Sequence, residues 1–339
     1  DLIIEFLLKK KIQHVFAISG GASIHLIHSA GKNKRIKCYF NHHEQASAMA
    51  ADGVAKSTGR PSCVFATSGP GATNLITGIC CSWFDSTPNL FITGQVTTFR
   101  LKKELKIRQL GFQETDIVPM VKNITKYAVQ IKKPEQILVE LEKAYNLSIS
   151  GRKGPVLIDI PDDIQRSYID ERNIIKPKKN KKILLNKKID NKIREFVKIY
   201  QKAKRPIFIF GAGSNIYQNR KIIKKFIKKF KTPFLTTWGA KSLENKSKFN
   251  FGTFGTHGSR SGNFCVQNSD LIISIGAKLG TRETGSPISK WAREAKIIMI
   301  DIDDNEIIKF KKLKKKIDFK IILDSKIFFE KLIKKKNKV

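Results

Sequence analysis

Residues 62–74 read SCVFATSGPGATN. The first part, SCVFATS, opens with an uncharged apolar run of strand length, the pattern of a strand buried on both faces. The second part, GPGATN, is a glycine turn. The apolar stretch LITGICCSWF that follows has helix length. Strand, glycine turn and helix in that order form the building unit of a parallel sheet covered on both sides.

The unit recurs along the chain. LIIEFLLKKKI has helical periodicity, and HVFAIS reads as a buried strand ending at Gly20 and Gly21. IKCYFN is a second short strand. EQASAMAADGVAKSTG is helical, stopped by Gly59 with Pro61 beyond it. NLFITGQ is a strand, PEQILVELEKAYNLSIS an amphipathic helix and GPVLIDIP a strand. After Gln165 the sequence turns Lys- and Asn-rich with little periodicity, which predicts a linker over 166–190. A second alternating series follows: RPIFIF, TPFLTT, SDLIISIGA and KIIMIDID as strands, RKIIKKFIKKF and DSKIFFEKLIKKK as helices. The expected fold is α/β, with two doubly wound parallel-sheet domains over 1–165 and 191–339.

Composition narrows the function classes. The 339 residues hold 65 Lys+Arg against 29 Asp+Glu, a formal charge of +36. The excess is mostly lysine on helix-like stretches and in the linker, as solvated faces would require. No zinc-finger spacing or aromatic-basic motif accompanies it, so neither nucleic acid nor membrane is expected as a partner. No apolar run approaches the roughly 18 residues of a membrane span. The five cysteines lie among apolar residues without a CxxC, which predicts reduced, mostly buried thiols in a cytoplasmic protein. The chain opens without Met and already in a helical pattern, so it reads as a fragment at its start.

In an open parallel sheet, ligands bind outside the carboxyl ends of the strands. Four segments gather there: SGGAS, NHHEQ, TSGPGATN and TGQV. Glycines allow close backbone approach to a ligand. Glu44 in NHHEQ, taken alone, is an acid at a helix start, where the helix dipole favours it. Only one of the adjacent His42 and His43 can face a pocket; a structural role is expected, and no metal site is assigned.

GGAS, HHEQASAMAADGVAKSTGRP, TSGPGATNLITGI, FDSTPNLFITGQV, GFQETDIV and GRKGPVLIDIPDDIQ together resemble the amino-terminal domain of thiamine-diphosphate enzymes of the acetolactate synthase group. The likeness runs nearly unbroken over 1–165. The second half, with GTHGSRSGNFCVQNSDLIISIGAKLGTRETG and AKIIMIDIDDNEI, resembles the Rossmann-like middle domain of the same enzymes. The resemblance implies that Glu44 hydrogen-bonds a ring nitrogen of the cofactor's aminopyrimidine and so activates it. It implies that Gly20, Gly21, Thr67, Pro70, Asn74 and Gln113 line the cofactor, and that Phe112, Gln113 and Arg282 lie next to the substrate. Arg152 matches a flavin-contacting arginine, and Gly211, Gly213 and Gly276 are candidates for FAD. As a dinucleotide fingerprint GAGS is weak, lacking a third glycine and an acid about 20 residues on.

The sequence also departs from the family. Asp162 stands where acetolactate synthases carry a lysine, Ile18 and Ser19 replace an aromatic-proline pair, and Gly280 and Thr281 replace paired acids before Arg282. The Gly-Asp-Gly motif with which the family binds Mg²⁺ and the cofactor diphosphate does not occur here. That implies a missing third domain, a site completed by a second subunit in a homodimer or homotetramer, and an inactive fragment. The implied activity is decarboxylation of pyruvate or a similar 2-oxo acid with transfer of the acyl-anion unit to a carbonyl acceptor. The alternatives are a decarboxylase or ligase with another acceptor, such as a keto-sugar nucleotide, a basic binding protein, or a non-catalytic partner subunit.

Overall fold

The computed structural model describes residues 1–169, 187–214, 216–243 and 246–334. The chain divides into two compact units, Asp1–Lys181 and Lys182–Val339. Each is built on a six-stranded parallel sheet with flanking helices, the α/β architecture that the apolar runs predict.

In the first unit the strands are β1 (His14–Ala17), β2 (Lys37–Phe40), β3 (Ser62–Ala66), β4 (Asn89–Gln95), β5 (Tyr127–Gln130) and β6 (Val156–Pro161). Their order is β2-β1-β3-β4-β6-β5, every pair parallel. Successive side chains of β3 enter opposite cores. Cys63 and Phe65 pack on one face, and Val64 and Ala66 on the other, all fully buried. That double burial is why the strand reads as an unbroken apolar run rather than an alternating one.

The second unit holds β7 (Pro206–Phe210), β8 (Phe234–Thr236), β9 (Asn250–Thr253), β10 (Leu271–Ile275), β11 (Lys296–Asp301) and β12 (Phe319–Ile322), in the order β12-β11-β10-β7-β8-β9. Counted from its own first strand, this is the 3-2-1-4-5-6 order of dinucleotide folds. The helices Lys187–Lys202 and Ile216–Phe230 turn Ile193, Phe196, Tyr200, Ile223, Phe226 and Phe230 into the core. Lys188, Lys198, Lys221, Lys224, Lys225 and Lys228 sit on the exposed side. Among the described residues no helix is long and apolar enough to cross a membrane.

Two expectations need adjustment. Most of the linker expected over 166–190 lies outside the described residues, and positions 187–190 are the first turn of the helix Lys187–Lys202. The thiols are all free, but only Cys63 is buried; Cys38, Cys80, Cys81 and Cys265 are half-buried. Each of those four lies on an edge strand or a helix that is only partly covered.

The helix Glu44–Thr58 is the part of the fold closest to chemistry. His43 caps it, its Nδ1 accepting from the Gln45 amide at 3.1 Å, and His42 is exposed. The helix ends at Gly59, which takes the left-handed conformation (φ 69°) that a side chain resists. Its alanines pack against the helix Ile76–Phe84 so tightly that a Cβ on Gly78 would fall 2.2 Å from the Ala48 Cβ. Farther along, Asp52 accepts from Ser82 (3.1 Å) and pairs with Lys56 (2.5 Å), while Asn89 donates to Ser82 (3.0 Å). This buried polar chain locks the two helices in register.

Candidate active site

In the first sheet the strand order reverses between β1 and β3, where ligands of open α/β sheets bind. The loops after β1 and β3 meet there. Gly20 lies so close to Thr67 that a Cβ would come within 2.5 Å of the threonine Cβ. The Ala22 amide donates to Thr67 Oγ1 at 3.2 Å. Gly21 has open space where a side chain would project. Below this loop, β4 passes at Gly94, where a Cβ would fall 1.8 Å from the Ala22 carbonyl oxygen.

Glu44 arrives from the end of β2. It is 8% exposed and is tied by one oxygen: Asn74 Nδ2 donates to Oε2 at 2.9 Å. Among the described residues Oε1 accepts no hydrogen bond. It lies 3.3 Å from the position a Cβ on Gly71 would take. A buried carboxylate with one oxygen fixed and the other free is arranged to receive an external donor. A ring nitrogen that carries or accepts a proton is such a partner, so these residues fit the pyrimidine of thiamine diphosphate.

Gly69, at φ 60°, begins the turn into the helix Pro70–Asn74, with Pro70 exposed at the helix start. A Cβ on Gly69 would lie 2.8 Å from the Cβ of Gln113, which itself has φ 60°. Phe112 beside it is 81% exposed. The first unit thus brings together Gly20, Thr67, Glu44 and Asn74 in one group and Gly69 and Gln113 in another, both built against the turn after β3.

The remaining nominated residues lie elsewhere. Arg152 donates from Nε to Ser86 Oγ at 2.9 Å, at the turn before β6. In the second unit Gly211, Gly213 and Gly276 meet at the reversal between β7 and β10. The Gly211 amide donates to the Ile275 carbonyl (3.0 Å) and the Gly213 amide to the Gly276 carbonyl (2.9 Å). A Cβ on Gly211 would fall 2.1 Å from the Gly276 oxygen. The three glycines therefore account for one another by backbone packing, and nothing in their arrangement selects a flavin. Arg282 is exposed in the short helix Thr281–Thr284, its carbonyl accepting from the Thr256 amide at 2.7 Å.

One buried acid escaped sequence reasoning. Asp159 on β6 is 1% exposed and accepts from Thr93 Oγ1 (2.7 Å), Gln130 Nε2 (2.9 Å) and Gln95 Nε2 (3.1 Å). Its signal was a lone carboxylate inside the apolar run VLIDIP. Burial pushes its pKa from the ordinary 3.8 up to about 6, against the opposing pull of its three donors. Folding therefore favours the protonated form. That stabilisation is complete below pH about 4 and is lost as pH rises through about 6. Asp159→Asn keeps the shape and loses the ionisation. Relative to the variant, the wild-type protein is expected to lose about 3 kcal/mol of stability from well below pH 4 to well above pH 6. Urea midpoints measured across that range check it, and parallel curves for the two proteins would contradict it.

Residues 1–120 match the model of the thiamine pyrophosphate enzyme N-terminal TPP binding domain, and residues 193–332 that of the central domain. The chain belongs to the thiamine pyrophosphate enzymes. Its relatives are acetolactate synthases. A probable acetolactate synthase large subunit of Methanococcus aeolicus is 34% identical over 338 residues, covering 98% of this chain and 54% of the relative. An acetolactate synthase of Arthrospira platensis is 33% identical over 320 residues, covering 90% and 53%. A chloroplastic acetolactate synthase of Arabidopsis thaliana is 32% identical over 314 residues, covering 92% and 46%. The chain spans about half the length of the curated relatives it matches.

Proposed function

We propose that this chain supplies the pyrimidine side of the active site in an acetolactate synthase-like carboligase. The enzyme would decarboxylate pyruvate, or a close 2-oxo acid, and join the two-carbon unit to a carbonyl acceptor. The observation that carries the reading is the half-satisfied Glu44 carboxylate at the β1/β3 reversal. When bound, thiamine diphosphate supplies the electron sink that makes loss of carbon dioxide from a 2-oxo acid feasible.

The protein's own residues do the rest. Asn74 fixes Oε2 and leaves Oε1 as the carboxylate oxygen open to a partner, 3.3 Å from where a Cβ on Gly71 would lie. Glu44 would hold or give up a proton at Oε1 opposite the cofactor ring. Thr67, fastened by the Ala22 amide, and the bare backbone at Gly20 and Gly21 let a flat ring approach. Pro70 shapes the turn, and Phe112 and Gln113 border the substrate. The diphosphate, Mg²⁺ and the remainder of the site are assigned to protein outside this sequence, including a second subunit of a homodimer or homotetramer. A flavin at the Gly211–Gly276 crossing rests on the strand order of the second sheet alone; visible absorbance of the purified protein tests it. Five free thiols support a reducing compartment such as the cytoplasm.

The natural full-length protein, given thiamine diphosphate, Mg²⁺ and labelled pyruvate, is expected to form acetolactate. Asp162 favours a second reading with a different acceptor. It lies 3.4 Å from His25 and 3.5 Å from Arg166 at the end of β6, a carboxylate where a lysine would attract an acceptor carboxylate. Product formed only when a keto-sugar nucleotide is added would select that reading.

A further inference from the structure

The stretch from Val96 to Thr115 crosses from β4 to the turn after β3, and carboxylates fasten it at three levels. Asp163 accepts from the Thr98 amide (3.0 Å) and hydroxyl (2.5 Å). Glu114 accepts from the amides of Lys102 and Leu110, each at 2.7 Å, closing the segment on itself. Asp159 acts from inside the sheet. It accepts from Gln95 Nε2, and the same nitrogen donates to the Thr115 carbonyl at 2.7 Å. Gln95 Oε1 in turn accepts from the Val96 amide at 3.0 Å. One amide side chain thus bridges a buried carboxylate to both ends of the segment.

Between these anchors sits Gln113 in the left-handed region, φ 60°. A residue with a side chain holds that conformation only where its surroundings over-determine it. The two residues after Gln113 are the ones fastened, Glu114 by its side chain and Thr115 by its carbonyl. On the other side Gln113 abuts Gly69, where there is no room even for a methyl group.

We propose that Asp159 is a positioning residue, holding the 96–115 segment through Gln95 so that Gln113 stays seated on the Gly69 turn. The proposal rests on the function above, in which Gln113 borders the substrate. Thr93 and Gln130 keep Asp159 in place when Gln95 is altered, so the bridge can be cut on the loop side alone. Gln95→Met cuts it with little change of volume. Asp159→Ala removes the anchor. Asp159→Asn retains an acceptor for the Gln95 amide.

Hydrogen exchange on the natural full-length protein reads the clamp without any turnover. Over residues 110–117, Gln95→Met and Asp159→Ala are expected to speed exchange about tenfold or more, with β1 and β3 unchanged and Asp159→Asn close to wild type. In steady state the two cutting variants are expected to raise the pyruvate KM about tenfold with kcat within a few-fold, and Asp159→Asn to restore it. Unchanged exchange over 110–117 in both cutting variants overturns the proposal. So does acceleration spread evenly over the whole unit, which would make Asp159 an ordinary core group. If wild-type protein leaves pyruvate untouched, the function proposed above is wrong, while the exchange result still decides whether the clamp exists.

Discussion

Glu44→Gln in the natural full-length protein is expected to lower pyruvate turnover by about 10²–10⁴-fold, the usual contribution of a placed acid-base group. The amide is nearly isosteric and can still accept from Asn74 through its oxygen, so the helix start and the Asn74 contact survive. What is lost is the exchangeable proton at Oε1, the position open to an external partner. Thiamine diphosphate binding is expected to weaken far less than turnover falls. Turnover within a few-fold of wild type would falsify the assigned role. A comparable loss of folding stability would show that the carboxylate is a structural helix-start acid after all.

Gly94→Ala has the largest expected effect on the fold. The added methyl carbon would lie 1.8 Å from the Ala22 carbonyl oxygen and 2.4 Å from its carbon. Neither atom belongs to a side chain that could rotate away. Either β4 or the Gly20–Ser23 loop must move, and β4 is hydrogen-bonded on both sides, to β3 and β6. The loop is expected to yield, at about 3 kcal/mol, the upper end of ordinary overpacking. For a unit of this size that lowers the melting temperature by roughly 10 °C. The Thr67–Ala22 contact would be lost with it, so cofactor affinity should drop in the folded fraction. A calorimetric scan and a cofactor titration measure the two effects separately. An unshifted melting temperature would mean the loop and strand are not packed as described.

The central strands of both sheets were legible because they are buried on two faces. SCVFA, NLFITGQ, VLIDIP, PIFIF and LIISI carry almost no polar interruption, and all lie inside their sheets. The strands that were not foreseen, Tyr127–Gln130, Asn250–Thr253 and Phe319–Ile322, are edge strands. Partly exposed and four residues long, they have neither an apolar run nor a clean alternation to reveal them. The helix Ile24–Lys32 was also passed over, its sequence IHLIHSAGK broken by two histidines and a glycine.

The site shows the same division. Glycine loops and a carboxylate at strand ends were visible as residue types, and a match to known motifs gave them roles. The tie between Asn74 and Oε2, and the absence of one at Oε1, belong to three-dimensional placement. Asp159 was hidden for another reason. A single acid in an apolar strand looks like an interruption until three donors from Thr93, Gln95 and Gln130 are found around it.

The position of β6 between β4 and β5 sets an order of assembly. β1 to β4 lie together as β2-β1-β3-β4, so the residues around Glu44 and Thr67 can come together from the first 95 positions of the chain. β6 begins at Val156 and must return to the side of β4 across a loop of some 60 residues, a slow step for a parallel pairing. The half of the site proposed to hold the ring is therefore expected to mature early, and the Gln113 segment, waiting for Asp159, to set last. In pulse-labelled refolding, amides of β3 should gain protection ahead of those at 110–117; simultaneous protection would mean the sheet closes in one concerted step. An emerging chain would carry a formed ring pocket with an unfastened wall until β6 is made.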